Sequence, residues 1–574
     1  MNMNRRSFIQ AAGAASAAAL ATGAVSAMAD EAAQTEQAAS GWRVAPEAIA
    51  DDQISQTKEA DFVVVGAAHA GGAVLRSIAE DSDHTVIGIE KQARDSFFTM
   101  GNDVGHMNSQ FLRDHGIEDV DPVEMFNDWM RRALNKANPS LVMQFMQNCG
   151  ANMDWWLSAF DDELVSKLVV PYSQHPESLL GNVAGFTYVT GTLRVCTADN
   201  PDLNMSDMQQ TIYDAILAQD NASIDFETTA CQLTKDDSGR VNGVIAQAAD
   251  GSYVKYVANL GVVLAAGDFG GNEEMRNELL THITDCFQPG ETWSSIMAQD
   301  GSGIQMGVWA GGHIESRPIP CMNGDWIRGN YQAASIWLDE TGSRYCNEFF
   351  GEMPFAGKPG VNHPHVQTFA IADSKLADNL LTTFSSHDAF EATDANIQTV
   401  RDKMANSIGT GAAGYVTPSD GSHPGAPTAE GEAAPDTFCA DTLEELAEYM
   451  GYDEEQTANM LASVESWNAC CAAGVDTDFG KNSEALFPID TPPYYAFTQN
   501  TSMIGGLMVT LGGLVTDKHQ NVLDDNCHPI PGLYACGNCC GQRFGVGYFT
   551  QTPGDSLGMC IVLGRELGKY LAAM

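Results

Sequence analysis

Gly66, Ala68, Gly71 and Glu90 are the residues whose types and spacing most directly imply chemistry. They lie in the run Phe62-Val63-Val64-Val65-Gly66-Ala67-Ala68-His69-Ala70-Gly71-Gly72, and a second run, Thr85-Val86-Ile87-Gly88-Ile89-Glu90, follows. An apolar strand, a turn of small residues, a helix and a second apolar strand ending in a carboxylate make a dinucleotide-binding unit. The small turn lets the backbone approach a pyrophosphate. The helix start, at His69 and Ala70, offers free N–H groups and the positive end of a dipole. Glu90, with Lys91 beside it, is placed to take the ribose hydroxyls; it falls 24 residues after Gly66, near the usual spacing of about 20. A second candidate is the cluster Cys536, Cys539 and Cys540, which holds a C-x-x-C spacing but supplies too few thiolates for an iron–sulfur cluster of four ligands.

A distant stretch decides which dinucleotide is meant. Pro529-Ile530-Pro531-Gly532-Leu533-Tyr534-Ala535-Cys536-Gly537-Asn538, followed by Pro553-Gly554-Asp555-Ser556-Leu557-Gly558, resembles the segment that closes the flavin site in the FAD-dependent fumarate reductase and 3-ketosteroid dehydrogenase family. Thr229-Ala230 through Gly243-Val244, and Leu264-Ala265-Ala266-Gly267-Asp268-Phe269-Gly270-Gly271-Asn272, are similar to that family's "T-A…GrV-GV…vvLAtGgFggN". Asp300-Gly301-Ser302-Gly303-Ile304 and Trp337 to Glu348 complete an ordered set, and the resemblance spans residues 58–574. It implies an α/β fold, with a Rossmann-like FAD-binding domain of the GR2 type and an inserted α+β capping domain. FAD is then the cofactor, held noncovalently, and no metal is assigned. Flavin contacts are implied for Ala230, Ala266, Gly267, Asp300, Gly537, Asn538, Asp555, Ser556 and Leu557. Within Thr99–Ser109 the family's glycine-rich loop places Gly105, His106, Met107 and Asn108 beside the flavin ring.

Departures from the fumarate reductase pattern bear on the substrate. The family's clamping histidine segment "HTMGG" is matched by Val509-Thr510-Leu511-Gly512-Gly513, its donor-arginine segment by Asp373-Ser374-Lys375-Leu376, and "HGxNR" by Gly541 to Phe549. Two carboxylates buried without cationic partners would cost several kcal/mol. A dicarboxylate is therefore disfavoured, and an uncharged, apolar enone or ketosteroid-like molecule is expected. The ketosteroid branch has a tyrosine in its C-terminal loop, and Tyr548 lies 11 residues after Gly537, as in that pattern. The resemblance makes Tyr548 the proton donor or carbonyl anchor, Arg543 the second candidate and Glu348 a pocket residue. The implied reaction is reduction or desaturation of a carbon–carbon bond conjugated to a carbonyl. A fumarate- or urocanate-type reductase and a non-catalytic electron carrier stand as alternatives.

The elements that must position these groups can be read along the chain. Residues 58–310 alternate strands and helices, with Leu260–Ala266 as buried parallel sheet. Residues 311–495 read as helices and irregular loops forming the cap, with a helix at Thr442–Met450 and a Gly/Pro/Ser-rich surface excursion at Gly409–Pro435. Residues 496–574 return to complete the FAD domain. Asn4-Arg5-Arg6-Ser7-Phe8-Ile9, an alanine-rich run and Ala27-Met28-Ala29 form a twin-arginine signal over residues 1–29. Residues 30–57 read as a flexible acidic tether. The expected protein is exported by the twin-arginine translocase after loading its cofactor.

The formal charge of −46 becomes −48 without residues 1–29, which carry two arginines and no acid. Such acidity argues against nucleic acid and anionic membranes as partners. No segment beyond the signal has the ~18 apolar residues of a membrane span. The fourteen cysteines are scattered, many in apolar segments, and read as buried thiols. The sequence holds no C-x-x-C-H haem motif. Electrons are therefore expected from a separate partner, a cytochrome or a flavoprotein, and the substrate is a small molecule.

Overall fold

The computed structural model describes residues 41–170, 191–197, 199–281, 295, 299–323, 334–348, 366–382, 394–407, 437–499, 507–549 and 551–574. The twin-arginine segment, the first part of the tether and the Gly409–Pro435 excursion lie outside the described residues. The chain divides into residues 1–48 and 49–574. In the first unit a short 3-10 turn, Gly41–Arg43, sets the Arg43 guanidinium 4.2 Å from the centre of the Trp42 ring.

In the second unit, strand β1 (Ile54–Val65) begins inside the segment expected to be tether. Its first half is largely exposed, but it pairs in parallel with β8 (Tyr253–Leu264) from Ile54 onward, so backbone bonding rather than apolar burial orders it. Its second half, Phe62–Val65, is buried on both faces, as a central parallel strand requires. The main sheet runs β15 (Asn521–Leu523), β16 (Pro529–Ala535), β8, β1, β2 (Val86–Ile89) and β5 (Ala222–Asp225). The β16, β8, β1, β2 and β5 neighbours are all parallel. A hairpin of β6 (Thr229–Lys235) and β7 (Val241–Gln247) extends the sheet antiparallel from β8.

Helix α1 (His69–Asp81) crosses from β1 towards β2 and packs against α8 (Asp555–Ala572). The two helices meet at backbone distance, because a Cβ at Gly564 would lie 2.6 Å from the Ala70 carbonyl oxygen. Helices α2 (Pro122–Arg132) and α3 (Pro139–Leu157) bear Trp129 and Phe145, which form a second core with Phe544, Tyr548 and Phe549. A two-stranded ribbon, β3 (Asp103–Gly105) with β4 (Thr192–Arg194), and helix α4 (Met205–Leu217) complete this side.

The region read as helices and irregular loops contains a four-stranded antiparallel sheet, ordered β10 (Ile336–Leu338), β11 (Thr368–Asp373), β13 (Tyr494–Gln499), β12 (Thr437–Ala440). Every residue of β11 is buried, because apolar clusters cover both faces of this sheet. Strands buried on both sides lose the alternation of apolar and polar residues that betrays a half-exposed strand. Helix α5 (Asp394–Ser407) packs Ile397, Val400 and Met404 on this sheet, the helix expected at Thr442–Met450 is present as α6 (Leu443–Tyr449), capped by the Thr442 hydroxyl, and α7 (Glu454–Ala473) follows. Apart from both sheets, β9 (Cys321–Asn323) pairs with β14 (Leu507–Thr510), setting Met322 opposite Val509.

Candidate functional site

A cavity of about 380 Å³ opens at the carboxyl ends of β1, β8 and β16, where an open parallel sheet binds its ligand. Ala68, His69 and Ala70 reach it after β1, Ala265, Gly267 and Asp268 after β8, and Gly537 and Asn538 after β16. Gly66 makes the first turn possible. Its φ is +91°, and a Cβ there would sit 2.4 Å from the Ala265 carbonyl oxygen. No side chain caps α1, so its first-turn N–H groups remain available where its dipole is positive. α8 also starts without a side-chain cap, and Gly554, Ser556 and Leu557 present that start to the same cavity.

His69 lines the cavity with Nε2 3.1 Å from Thr99 Oγ1, while Nδ1 is buried without a partner. Burial pushes its imidazole down to about 4, so it is neutral at pH 7. An orphaned ring nitrogen, two uncapped helix starts and a glycine turn are what a pyrophosphate-linked dinucleotide would satisfy. The residues present fit FAD.

The structure brings together part of the expected site. Ala68, His69, Ala70, Gly267, Gly537, Asn538, Ser556, Leu557 and Tyr548 line the cavity. Ala230 lies in β6, and neither it nor Ala266 is among the lining residues. Gly71 lies behind the turn, since a Cβ there would overlap the Gly66 carbonyl at 1.8 Å. The Glu90 carboxylate is turned inward, accepting from Ala67 N at 3.0 Å and Gln92 N at 3.0 Å, and does not line the cavity. Lys91 and Asp300 face each other 4.0 Å apart on the surface. Asp555 is fully buried and holds the loop before α8, accepting from Gln551 N, Thr552 N and the Thr552 hydroxyl.

The loop expected beside the flavin at residues 105–108 is not among the residues that line the cavity. Gly105 packs on Asp555 and Thr552. His106 is fully buried, with Nδ1 2.9 Å from Val104 O and Nε2 2.9 Å from Ser109 Oγ. Met107 enters the second core, and Asn108 exchanges hydrogen bonds with Val120. The same run does reach the cavity, but through Thr99, Met100, Gly101, Asn102 and Asp103. The segment was recognisable by its glycines; which of them faces the ligand depends on the β3–β4 ribbon, which no local pattern announces.

Two of the three catalytic candidates are also absent from the cavity lining. Glu348 is fully buried in the second sheet's core. It accepts from Arg344 Nε at 2.8 Å, Arg344 Nη2 at 2.9 Å and Trp337 N at 3.1 Å, and Lys481 Nζ lies 3.3 Å away. Arg344 also bonds Asp476, so Glu348 balances a closed network rather than facing a substrate. Glu348→Ala leaves Arg344 with Asp476 alone and takes from buried Lys481 its carboxylate, and we expect ~3–5 kcal/mol of lost stability, read as a lowered melting temperature with flavin content per folded protein unchanged. Arg543, 1% exposed, donates to Asn538 Oδ1 and, at 3.1 Å, to Cys540 O, and it does not line the cavity. It positions Asn538, which does.

Cys536, Cys539 and Cys540 form no ligand set among the described residues. Cys539 Sγ donates to Gly267 O at 3.2 Å and Cys540 Sγ meets Thr516 Oγ1 at 3.3 Å; burial pushes the Cys539 thiol up to about 12. The described cysteines are free thiols.

Sequence reasoning missed Asp268, Gln299, Met322 and Cys560, which also line the cavity. Asp268 had a signal, since it stands where the family's pattern has glycine. Among the described residues no arginine or lysine lines the cavity. The one acid there with a cation is Asp103, whose Oδ1 is 2.7 Å from Arg194 Nε. Val509, at the clamping-histidine position, presents an apolar side chain.

Comparison with known proteins agrees with this geometry. The chain is 27% identical to vinyl phenol reductase of Lactiplantibacillus plantarum, over 63% of this chain and 71% of that protein. It is 25% identical to urocanate reductase of Eggerthella lenta, over 93% of this chain and 78% of that protein. The crystal structure of 3-ketosteroid-Δ4-(5α)-dehydrogenase from Rhodococcus jostii shares the fold, with a TM-score of 0.65 and 22% identity over 91% of this chain and 99% of that one. The family model described as "FAD binding domain" matches residues 61–557, and the chain accordingly belongs to that family of FAD-carrying flavoproteins.

Proposed function

We propose that this FAD-dependent oxidoreductase of CH–CH bonds reduces a carbon–carbon double bond conjugated to a carbonyl in an uncharged, largely apolar molecule. The observation that carries the reading is the part of the cavity wall that the FAD-binding turns do not supply: among the described residues it has no cation, and Val509, Met322 and Tyr548 line it. A carboxylate moved there from water would lose its hydration without an ion-pair partner. Bound FAD supplies the hydride exchange. Tyr548, 3% exposed and packed edge-on against Phe544 at 5.2 Å, holds a proton at its hydroxyl and polarises the carbonyl or protonates the carbon. The apolar wall excludes water from that proton transfer. Electrons arrive from a separate cytochrome or flavoprotein, and the protein works outside the cytoplasm after export on the twin-arginine route.

The test is oxidation of reduced viologen by the purified holoprotein. Neutral enones, including ketosteroids, are expected to be reduced at least about tenfold faster than fumarate or urocanate, a difference of ~1.4 kcal/mol in barrier. Turnover of fumarate or urocanate with no enone activity would transfer the chain to the carboxylate-reductase reading.

A further inference from the structure

Arg543 is a buried cation whose hydrogen-bond partners among the described residues are all uncharged. Its nitrogens donate to Cys540 O at 3.1 Å, to Cys560 Sγ at 3.8 Å and to Asn538 Oδ1. Arg76, Arg132, Arg344 and Arg565, also buried, each meet a carboxylate at 2.8 Å or less. A guanidinium buried without a counter-ion is costly. Two of the residues that Arg543 holds, Asn538 and Cys560, line the cavity, so an anion placed there would answer its charge.

The amide of Asn538 can be turned only one way. A guanidinium donates and never accepts, so the carbonyl oxygen must face Arg543 and the N–H₂ must face away. Asn538 is half-buried, and among the described residues its amide nitrogen donates to nothing. That nitrogen is not one of the polar atoms sealed without a partner, so it keeps accessible surface, and the residue opens on the cavity. The turn that carries it abuts the start of α1, since a Cβ at Gly537 would lie 2.7 Å from Ala70 Cβ. The free donor therefore stands beside an uncapped helix end that already favours an anion.

We propose that Arg543 is a cofactor-positioning residue acting through Asn538, whose amide it fixes so that the N–H₂ donates to an acceptor oxygen of bound FAD. The hydrogen bond from Arg543 polarises the amide and strengthens the donor at its other end. FAD offers such oxygens on its pyrophosphate and on the carbonyls of its ring, and the experiment separates the two. The inference stands on the cavity holding FAD and is independent of the substrate reduced there. Two replacements of Asn538 test the polarity. Asn538→Ala removes the donor, whereas Asn538→Asp gives Arg543 an ion-pair partner and puts a carboxylate oxygen where the N–H₂ stands.

FAD release from diluted holoprotein, read as recovered flavin fluorescence, gives the dissociation constant. It is expected to rise about tenfold in Asn538→Ala and about a hundredfold or more in Asn538→Asp. Asn538→Asp binding FAD as tightly as wild type, or more tightly than Asn538→Ala, overturns the proposal, because the cofactor would then present a donor at this point. Wild-type affinity in Asn538→Ala also overturns it, and that variant decides the matter if Asn538→Asp does not fold. Arg543→Met frees the amide to turn over. It should weaken FAD binding at least about threefold beside Asn538 but less than about twofold in the Asn538→Ala background. Equal losses in both backgrounds would mean that Arg543 does not act through Asn538, and the proposal falls. The midpoint potential of the flavin in Asn538→Ala separates the two oxygens. An unchanged potential assigns the donor to the pyrophosphate, whose charge is the same in both redox states. A tenfold greater loss of affinity for the reduced flavin, a fall of about 30 mV in a two-electron couple, assigns it to the ring. A rise in potential overturns the proposal, since a donor does not favour the oxidised ring.

Discussion

Gly66→Val protein is expected to purify nearly colourless, with a flavin-to-protein ratio below about a tenth of wild type. A Cβ at this position would lie 2.4 Å from the Ala265 carbonyl oxygen and 2.8 Å from Ala266 Cα, so β1 and β8 would have to part where both deliver the pyrophosphate turn. The φ of +91° adds backbone strain for any L side chain. Gly239→Val is the control. That glycine has φ +84° but open space around it, in the β6–β7 hairpin, so it carries the strain without the collision and should keep its flavin. The visible absorbance of the two purified proteins decides the matter. A Gly66→Val protein with the full flavin band would mean that the turn does not hold the cofactor.

Tyr548→Phe should cost a factor of about 10² to 10⁴ in turnover, the usual worth of a positioned general acid, while flavin content stays at the wild-type level. The ring is 3% exposed and packs against Phe544, and phenylalanine preserves that packing. Only the hydroxyl is lost, so a fall in rate cannot be assigned to collapse of the cavity. Viologen-linked rates, with the best substrate at saturation, measure the effect. Wild-type turnover in this variant would move the proton donor to another group. Arg543 is poorly placed to inherit the role, because its guanidinium is spent on Asn538 and Cys540 and does not face the cavity.

The parallel half of the fold was legible because its rules are local. Val63–Gly66 and Val262–Gly267 are apolar runs stopped by glycine, and each does end at the cavity. A dinucleotide site was legible for the same reason, from the turn at Gly66, and FAD from the resemblance of the Gly267 and Gly537 segments to the flavoprotein family; the three turns stand at three strand ends. The catalytic candidates fared differently. Glu348 and Arg543 were picked as charged residues in matching segments, yet each has its charge consumed by neighbours remote in sequence, Asp476 and Lys481 sharing Arg344 and Glu348 in one case and Asn538 holding Arg543 in the other. A sequence shows that a charge exists but not whether it is already answered. The four-stranded sheet, implied by the α+β cap of the family, was not legible in the residues' own pattern for a related reason: β11 is covered on both faces, and its pattern carries no period.

The order in which the cavity's walls are made has a consequence for biosynthesis. Val65 and the start of α1 leave the ribosome early, whereas β16, the Gly537–Tyr548 loop and α8 come almost five hundred residues later. At about 5–20 residues per second that interval is roughly 25–100 s. Once β8 is made, and until β16 follows about 265 residues later, it has β1 on one side and nothing on the other where Val262–Leu264 will meet Leu533–Ala535. A nascent chain thus carries an open, apolar strand edge that invites pairing with other chains. It also lacks the part of the cavity that Gly537, Asn538, Tyr548 and the start of α8 supply. The cavity is therefore complete only when α8 has been made, and the interval before that is when the open edge is most exposed to other chains.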